Sequence, residues 1–413
     1  MAKLKYNFRG IVGKSLKEKD IKRFAKMLAS YIYINKLIPQ IVIGKDNRVS
    51  GDYVSSVVKT ELLKSGINVY SVGTITTPGL AYITKRFAIS VGLMITASHN
   101  SCECNGLKWF DKNGYSINFE DYKNVSIKKS YTKIIDGKNF KDLYIKSLKQ
   151  KLTNKSVNYI FDCANGASTE IVREVFKGCK IIGTEISGKY INNGFGTENI
   201  DTLRTYCKRN KKIGFAFDGD ADRVVAVDCD GEVIDGDKIL YILASQKLGA
   251  GDKVVGTSIS SLGLEVALNK LGIQLIRTIV GARYVASKMK ELGVKLGSEP
   301  CGHVFNELEY SDGVSVAIEL INILNRTGLT FKQLLKDYAD SYRFCKDVEL
   351  GFCENIEDYD VYENDTHVVI RKSLTENKFR IFVESFDKTK AEQKFNEIVN
   401  SLENWYAVRW NVK

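Results

Sequence analysis

Asp218, Asp220 and Asp222 alternate with small residues in IGFAFDGDADRVV, directly after an apolar run that reads as a strand. Three carboxylates on one loop repel one another, and such a set is normally stable around a bound cation. Oxygen ligands without cysteine or histidine suit Mg2+ best. An EF-hand does not fit, because Arg223 takes the sixth loop position, where glycine makes the turn, and Cys229 takes the twelfth, where a bidentate glutamate belongs. Three carboxylates leave the Mg2+ octahedron incomplete, and water and phosphate oxygens usually complete it. The plain alternative is an acidic, solvated turn.

A second group surrounds Ser98, which follows the apolar run AISVGLMI and precedes His99. Its place at the exit of a buried strand, beside Thr96 and Ala97, predicts exposure to a cleft. Three chemistries compete there. A serine hydrolase needs a base whose ring reaches the hydroxyl, which adjacent residues seldom achieve, and no G-x-S-x-G elbow is present. Metal binding by Cys102 and Cys104 lacks a second pair of suitable spacing. The third is a serine that carries a phosphoryl group. Two further loops concentrate polar groups. LGSEPCGHVF brings Glu299, Cys301 and His303 together, although a lone histidine on a strand edge is more often structural. RKSLTENKFR gathers Arg371, Lys372, Ser373, Thr375, Lys378 and Arg380 at a bend, and cations mixed with hydroxyls there make an anion site.

These loops need strands and helices to hold them. Three β-like runs, IVIGKDNRVSG near 41, YIFDCANGAST near 159 and KVVGTSISSLG near 253, each end in small and polar residues and lead into a helix-compatible segment. Short β-branched runs suggest strands buried on both faces, and amphipathic stretches such as TEIVREVFKG suit covering helices. In open α/β sheets ligands gather beyond the carboxyl ends of strands, where these loops lie. From about 345 the pattern changes to THVVIRKSLTENKFRIFVES and a charged helical stretch ending near Tyr406, which predicts a small α+β domain. A chain of 413 residues exceeds one ordinary core.

Composition narrows the classes further. With 44% hydrophobic and 27% charged residues the chain reads as folded, and no apolar run approaches the roughly 20 residues of a membrane span. No secretory signal is visible, so a cytoplasmic protein is expected, with no membrane partner. Nine cysteines without a regular framework are expected to be reduced. The net charge of +12 attracts anions in general. Without an aromatic-interleaved basic stripe it reads as a dispersed lysine surface, and no nucleic-acid partner is expected.

Taken in order, T-A-S-H-N at 96–100, D-G-D-A-D-R at 218–223, S-E-P-C-G-H at 298–303 and R-K-S-L-T-E-N at 371–377 resemble the α-D-phosphohexomutase superfamily. That superfamily comprises phosphoglucomutases, phosphomannomutases and phosphoglucosamine mutases. YNFRG, GKDNRVSG, FDCANGA and VIDGDKIL support the match, and segments 213–238 and 256–303 most resemble phosphoglucosamine mutases. The resemblance implies an α/β fold of three similar domains with mixed sheets, plus a smaller C-terminal α+β domain, around a central cleft. The expected boundaries are 1–137 (phosphoserine), 138–235 (metal), 236–343 (sugar) and 344–413 (phosphate). It implies that Ser98 is the phosphoserine and that one Mg2+ is held by its phosphate and by Asp218, Asp220 and Asp222. Arg9, His99, Lys108 and Arg223 would surround the transferring group, and Lys108 or His303 would handle the hydroxyl proton. Glu299 and Cys301 would hold sugar hydroxyls, while Arg371, Ser373, Thr375 and Arg380 would grip the phosphate that is not reacting.

The implied reaction interconverts hexose 6-phosphate and hexose 1-phosphate through a bisphosphorylated sugar, with hexose 1,6-bisphosphate as activator, in a monomer or homodimer. Glucosamine phosphate is the expected substrate; glucose or mannose phosphate, or binding without turnover, are the alternatives. Cys301 stands where the family usually has serine, Leu374 and Asn377 where it has glycine and proline, and Asn7 where it often has aspartate.

Overall fold

The computed structural model describes residues 8–117, 132–153, 158–348, 359–363, 365–372 and 378–410. They fall into two compact units, 1–236 with 301–331, and 237–300 with 332–413.

The first unit opens with β1 (Phe8–Ile11), α1 (Glu18–Ile34), β2 (Gln40–Lys45), α2 (Gly51–Lys64), β3 (Asn68–Thr74), α3 (Thr77–Arg86), β4 (Val91–Ile95), β5 (Cys104–Asp111) and β6 (Ile134–Asp136). Strand alternation decides its layering, since successive side chains point to opposite faces. In β2, Ile41 and Ile43 join one buried cluster with Val69, Val91, Leu93 and Ile95, while Val42 joins another with Val72, Met94 and Phe110. The sheet is therefore apolar on both faces and needs helices on both. On α1 the buried Ile21, Phe24, Ala25, Leu28 and Ile32 form one stripe, and the Phe24 ring lies 4.3 Å from that of Trp109 on β5. Each large apolar side chain so buried contributes roughly 1.5–3 kcal/mol. The strand order is β1-β5-β4-β2-β3-β6, with β1/β5 and β5/β4 antiparallel and the other pairs parallel, a mixed sheet.

A second mixed sheet follows, from α4 (Asn139–Lys151), β7 (Tyr159–Asp162), α5 (Ser168–Val175), β8 (Lys180–Ile182), α6 (Asp201–Asn210), β9 (Ile213–Phe217), β10 (Val224–Val227) and β11 (Val233–Ile234), in the order β11-β10-β9-β7-β8. Phe161 stacks near Phe176, Phe215 and Phe217, with centroids 4.1, 5.7 and 6.4 Å away. This aromatic layer backs β9, so the hairpin that follows it starts from a rigid platform.

The second unit contains α7 (Gly236–Lys247), β12 (Lys253–Thr257), α8 (Leu262–Lys270), β13 (Gln274–Thr278), α9 (Ala282–Leu292) and β14 (Leu296–Ser298), with β12 parallel to both β13 and β14. The chain then returns to the first unit as β15 (Val304–Asn306) and α10 (Gly313–Thr327). After α11 (Phe331–Leu334), an antiparallel sheet of β16 (Tyr342–Val348), β17 (Tyr359–Glu363), β18 (Thr366–Lys372) and β19 (Phe379–Ser385) is covered by α12 (Lys388–Trp410). The expected α/β character with mixed sheets is present, and so is the change to α+β near 345. The strands expected near 41, 159 and 253 are β2, β7 and β12. Among the described residues no helix is long and apolar enough to cross a membrane.

Candidate active site

β9 and β10 pair antiparallel with Phe217 opposite Val224, so Asp218–Arg223 is the loop of a hairpin. Ala221 N–H donates to Asp218 O at 3.0 Å and Ala221 takes φ +56°, a tight turn that folds the three aspartates inward. All three are buried, and their carboxylate oxygens lie within 4.8 Å of one another. The reading as a solvated turn is therefore excluded.

Ser98 follows β4 at φ +54°, and its Oγ donates to Asp218 Oδ2 at 2.6 Å. The strand exit is as expected, but the exposure is not, since Ser98 is only 1% exposed. The reason is the close approach of the hairpin: a Cβ on Gly219 would stand 2.8 Å from Ser98 O, so glycine is needed there to let the two loops touch. His99 Nδ1 is 3.5 Å from Ser98 Oγ, and burial, followed by the charges of Arg223 and Arg9, pushes this imidazole down to about 2. No hydrolase base results.

Lys108, on β5, reaches Asp220 Oδ2 at 2.7 Å and Asp222 Oδ2 at 2.6 Å. Burial disfavours its charge, but the two carboxylates outweigh that and hold its pKa above the ordinary value. Reciprocally, the ammonium holds Asp220 and Asp222 below theirs against burial. Asp218 goes the other way: burial, then Asp222 and Asp220, push it well up. Asp220 Oδ1 and Asp222 Oδ1 are buried without a hydrogen-bond partner, which is costly unless a cation faces them. The donor set of three carboxylates fits a hard divalent cation.

Arg223 Nη1 pairs with Glu198 at 2.7 Å, and its Nε donates to His303 Nε2 at 3.1 Å. His303 Nδ1 lies 3.2 Å from Asp222 O, an acceptor, so that nitrogen carries the hydrogen. Burial holds His303 down at about 4 and hence neutral at pH 7. Arg9, on β1, is close enough to Asp218, Asp220 and Asp222 to feel all three, and its Nε is buried without a hydrogen-bond partner. Ser98, Arg9, His99, Lys108, Asp218, Asp220, Asp222, Arg223 and His303 thus converge in one unit, as does Cys301, a sulfur within 4.8 Å of a His303 ring nitrogen.

Glu299 belongs to the second unit, where its Oε1 accepts from Gly281 N at 2.7 Å. Arg371 and Arg380 face each other across β18 and β19, and Asp347 lies 2.6 Å from Lys378 Nζ and 3.5 Å from Arg380 Nε. Two like charges opposed in a ladder repel, and Asp347 offsets part of this. Ser373, Thr375, Leu374 and Asn377 lie outside the described residues, as does Asn7.

Four residues at the site were not singled out in the sequence. Thr77 donates to Asp220 Oδ2 through its hydroxyl. Glu198 holds Arg223. Asp46 and Arg48 are buried under the serine loop, with Arg48 Nε 3.0 Å from Asp46 Oδ2. The D-x-R spacing after β2 was the available signal, since two charges that close to a buried strand need a purpose.

The match to family models covers residues 3–136 (phosphoglucomutase/phosphomannomutase, alpha/beta/alpha domain I) and 235–342 (domain III of the same family). A phosphoglucosamine mutase of Oceanobacillus iheyensis is 32% identical, covering 88% of this chain and 90% of that one. One from Thermotoga maritima is 36% identical over 96% and 97%. A phosphoglucomutase/phosphomannomutase family protein from Burkholderia thailandensis superposes with a TM-score of 0.82 at 21% identity, over 97% and 96% of the chains. The N-acetylphosphoglucosamine mutase of Aspergillus fumigatus, solved with GlcNAc-6P and magnesium, gives 0.62 at 18% identity over 80% and 92%. With ordered motifs, fold and identity agreeing over most of its length, the chain belongs to the phosphoglucomutase/phosphomannomutase family and is a phosphohexomutase.

Proposed function

We propose that the protein interconverts glucosamine 6-phosphate and glucosamine 1-phosphate by way of phospho-Ser98. The observation that carries this is Ser98 Oγ held 2.6 Å from Asp218 Oδ2 inside a buried group of three carboxylates and the cations Lys108, Arg9 and Arg223. A serine so placed is poorly activated for attack on a carbonyl but well placed to exchange a phosphoryl group among positive charges. The amino-sugar preference is supported by the names of the relatives at 32% and 36% identity.

In the forward transfer the P–Oγ bond of phospho-Ser98 breaks as a P–O bond to the free sugar hydroxyl forms, giving a bisphosphorylated sugar. One proton leaves that hydroxyl and one reaches Oγ. Lys108 is charged and can give a proton, whereas neutral His303 carries its hydrogen on Nδ1 and accepts from Arg223 Nε on Nε2, so it can take the hydroxyl proton only where that bond opens. The sugar bisphosphate then turns end for end and returns its other phosphoryl group to Oγ. Asp218, Asp220 and Asp222 would hold one Mg2+, which supplies charge neutralisation at the transferring phosphoryl oxygens. Arg223 and Arg9 offer further donors there. Glu299 and Cys301 are assigned to sugar hydroxyls, and Arg371, Ser373, Thr375 and Arg380 to the distant phosphate. The four-domain division at 137, 235 and 343 is part of the same reading, as are a cytoplasmic location and a trace of hexose 1,6-bisphosphate as activator.

The test is turnover by purified protein with Mg2+ and a trace of hexose 1,6-bisphosphate. Glucosamine phosphate should give the highest kcat/KM among glucosamine, glucose and mannose phosphates. A preference for glucose or mannose phosphate of more than about tenfold, or 1.4 kcal/mol, overturns the substrate. Binding without turnover of any of them overturns the reaction.

A further inference from the structure

Arg48 is among the largest fully buried side chains described. A guanidinium persists in such a place only when its donors are used. Nη2 donates to the carbonyls of Ser98 and Asn100, both at 2.8 Å, and Nη1 to Cys104 O at 2.9 Å and to Ser101 O. Nε faces Asp46, whose Oδ2 also accepts from Thr96 Oγ1 at 2.6 Å. Thr96 Oγ1 in turn accepts from Ser98 N at 2.9 Å. Every side-chain hydrogen bond that leaves this buried pair therefore ends on the segment 96–104.

From the other side Asn192, on the loop between β8 and α6, donates through Nδ2 to Ser98 O at 2.8 Å and to Asn100 O at 3.0 Å. These are the same two carbonyls that Arg48 Nη2 holds. The loop is itself tied down, because Asn192 N donates to Ala164 O at 2.8 Å and Asn165 Nδ2 to Tyr190 O at 2.9 Å. Ser98 sits between the two grips at φ +54°, a left-handed conformation that costs a non-glycine residue free energy and that surrounding contacts can offset.

We propose that Arg48 and Asn192 form a two-sided clamp on the carbonyls of Ser98 and Asn100 that keeps the serine left-handed and so aims Oγ at the metal-binding carboxylates. Both are positioning residues, since neither is hydrogen-bonded to Oγ. The inference rests on the reading of Ser98 as the phosphoryl carrier. It predicts a loss in the transfer step rather than in substrate capture, because the clamp acts on the enzyme's own nucleophile.

The experiment compares Asn192→Ala and Arg48→Lys with the natural protein by steady-state kinetics, by single-turnover loss of phosphate from Ser98 to sugar phosphate, and by thermal melting. Asn192→Ala should lower kcat about tenfold with KM within about twofold, because a small misplacement of a reacting atom is enough for such a loss. Arg48→Lys keeps a charge beside Asp46 but cannot span four carbonyls with one ammonium, and kcat should fall about a hundredfold. A folded variant that keeps the natural kcat, or loses only melting temperature, overturns the clamp. If Arg48→Lys does not fold, Asn192→Ala, which strands no buried charge, decides alone. Mass spectrometry of the natural protein after incubation with hexose 1,6-bisphosphate separates the two ideas. No phosphate on Ser98 refutes the carrier and the clamp with it; phosphate present with undiminished variants refutes the clamp alone.

Discussion

Ser98 combines burial, a left-handed backbone costing about 1–2 kcal/mol, and a hydrogen bond to a carboxyl whose pKa is pushed well up by burial and by like charges. Such strain at a polar position is informative when chemistry accounts for it. If the hydroxyl is the covalent carrier, Ser98→Ala should lower kcat by at least about a thousandfold, the scale expected when a nucleophile is removed. Its far-ultraviolet circular dichroism should be unchanged, because one oxygen is lost and no apolar packing. Retention of more than a tenth of natural turnover would sink the assignment. The place of Ser98 at a strand exit was legible because small residues stand after an apolar run, whereas the residues alone left three chemistries open there and the phosphoryl-carrier reading came from the resemblance. The burial of Ser98 was not legible, because that depends on Gly219 admitting the hairpin, a contact made across about 120 residues of chain.

The elements that carry these residues are held by buried polar groups as well as by apolar layers. Asp162, at the end of β7, accepts from Ala164 N at 2.9 Å and from Gly196 N at 2.8 Å, which fixes both ends of the stretch that bears Asn192. Burial raises its pKa from 3.8 to about 7, with those two N–H groups opposing. Between pH 3.8 and about 7 the folded carboxyl keeps a proton that the unfolded chain has released, so stability falls as pH rises through this window, by up to about 4 kcal/mol. Above that window the loss is complete. Melting temperatures of Asp162→Asn from pH 4.5 to 7.5 should therefore show a flatter decline than those of the natural protein, and parallel curves would contradict the account. Strand β7 itself was readable from YIFD, whereas the partner of its last carboxyl, 34 residues on, was not.

Across the whole molecule the three carboxylates lie in one compact unit, and the second unit, 237–300 with 332–413, contributes none of them. Cation binding at the triad should stabilise the unit that holds it, by about 2.7 kcal/mol at a hundredfold excess over Kd. Calorimetry with Mg2+ against EDTA should then show a higher melting temperature, and Asp222→Asn should abolish the rise. No rise, or a rise of the same size in Asp222→Asn, would count against the site. The sequence by itself determined the βα rhythm, the α/β class and the acidic loop, because strand periodicity and the D-x-D-x-D spacing are local patterns, while the remaining candidate site residues came from the resemblance of four ordered motifs to a family. Only the tertiary structure decided that Lys108 lies between Asp220 and Asp222, that His303 is neutral with its hydrogen on Nδ1, and that Arg48 and Asn192 grip the same two carbonyls. Those facts depend on burial and on contacts between segments far apart in the chain, and a one-dimensional pattern carries neither the local dielectric nor the distances that set them.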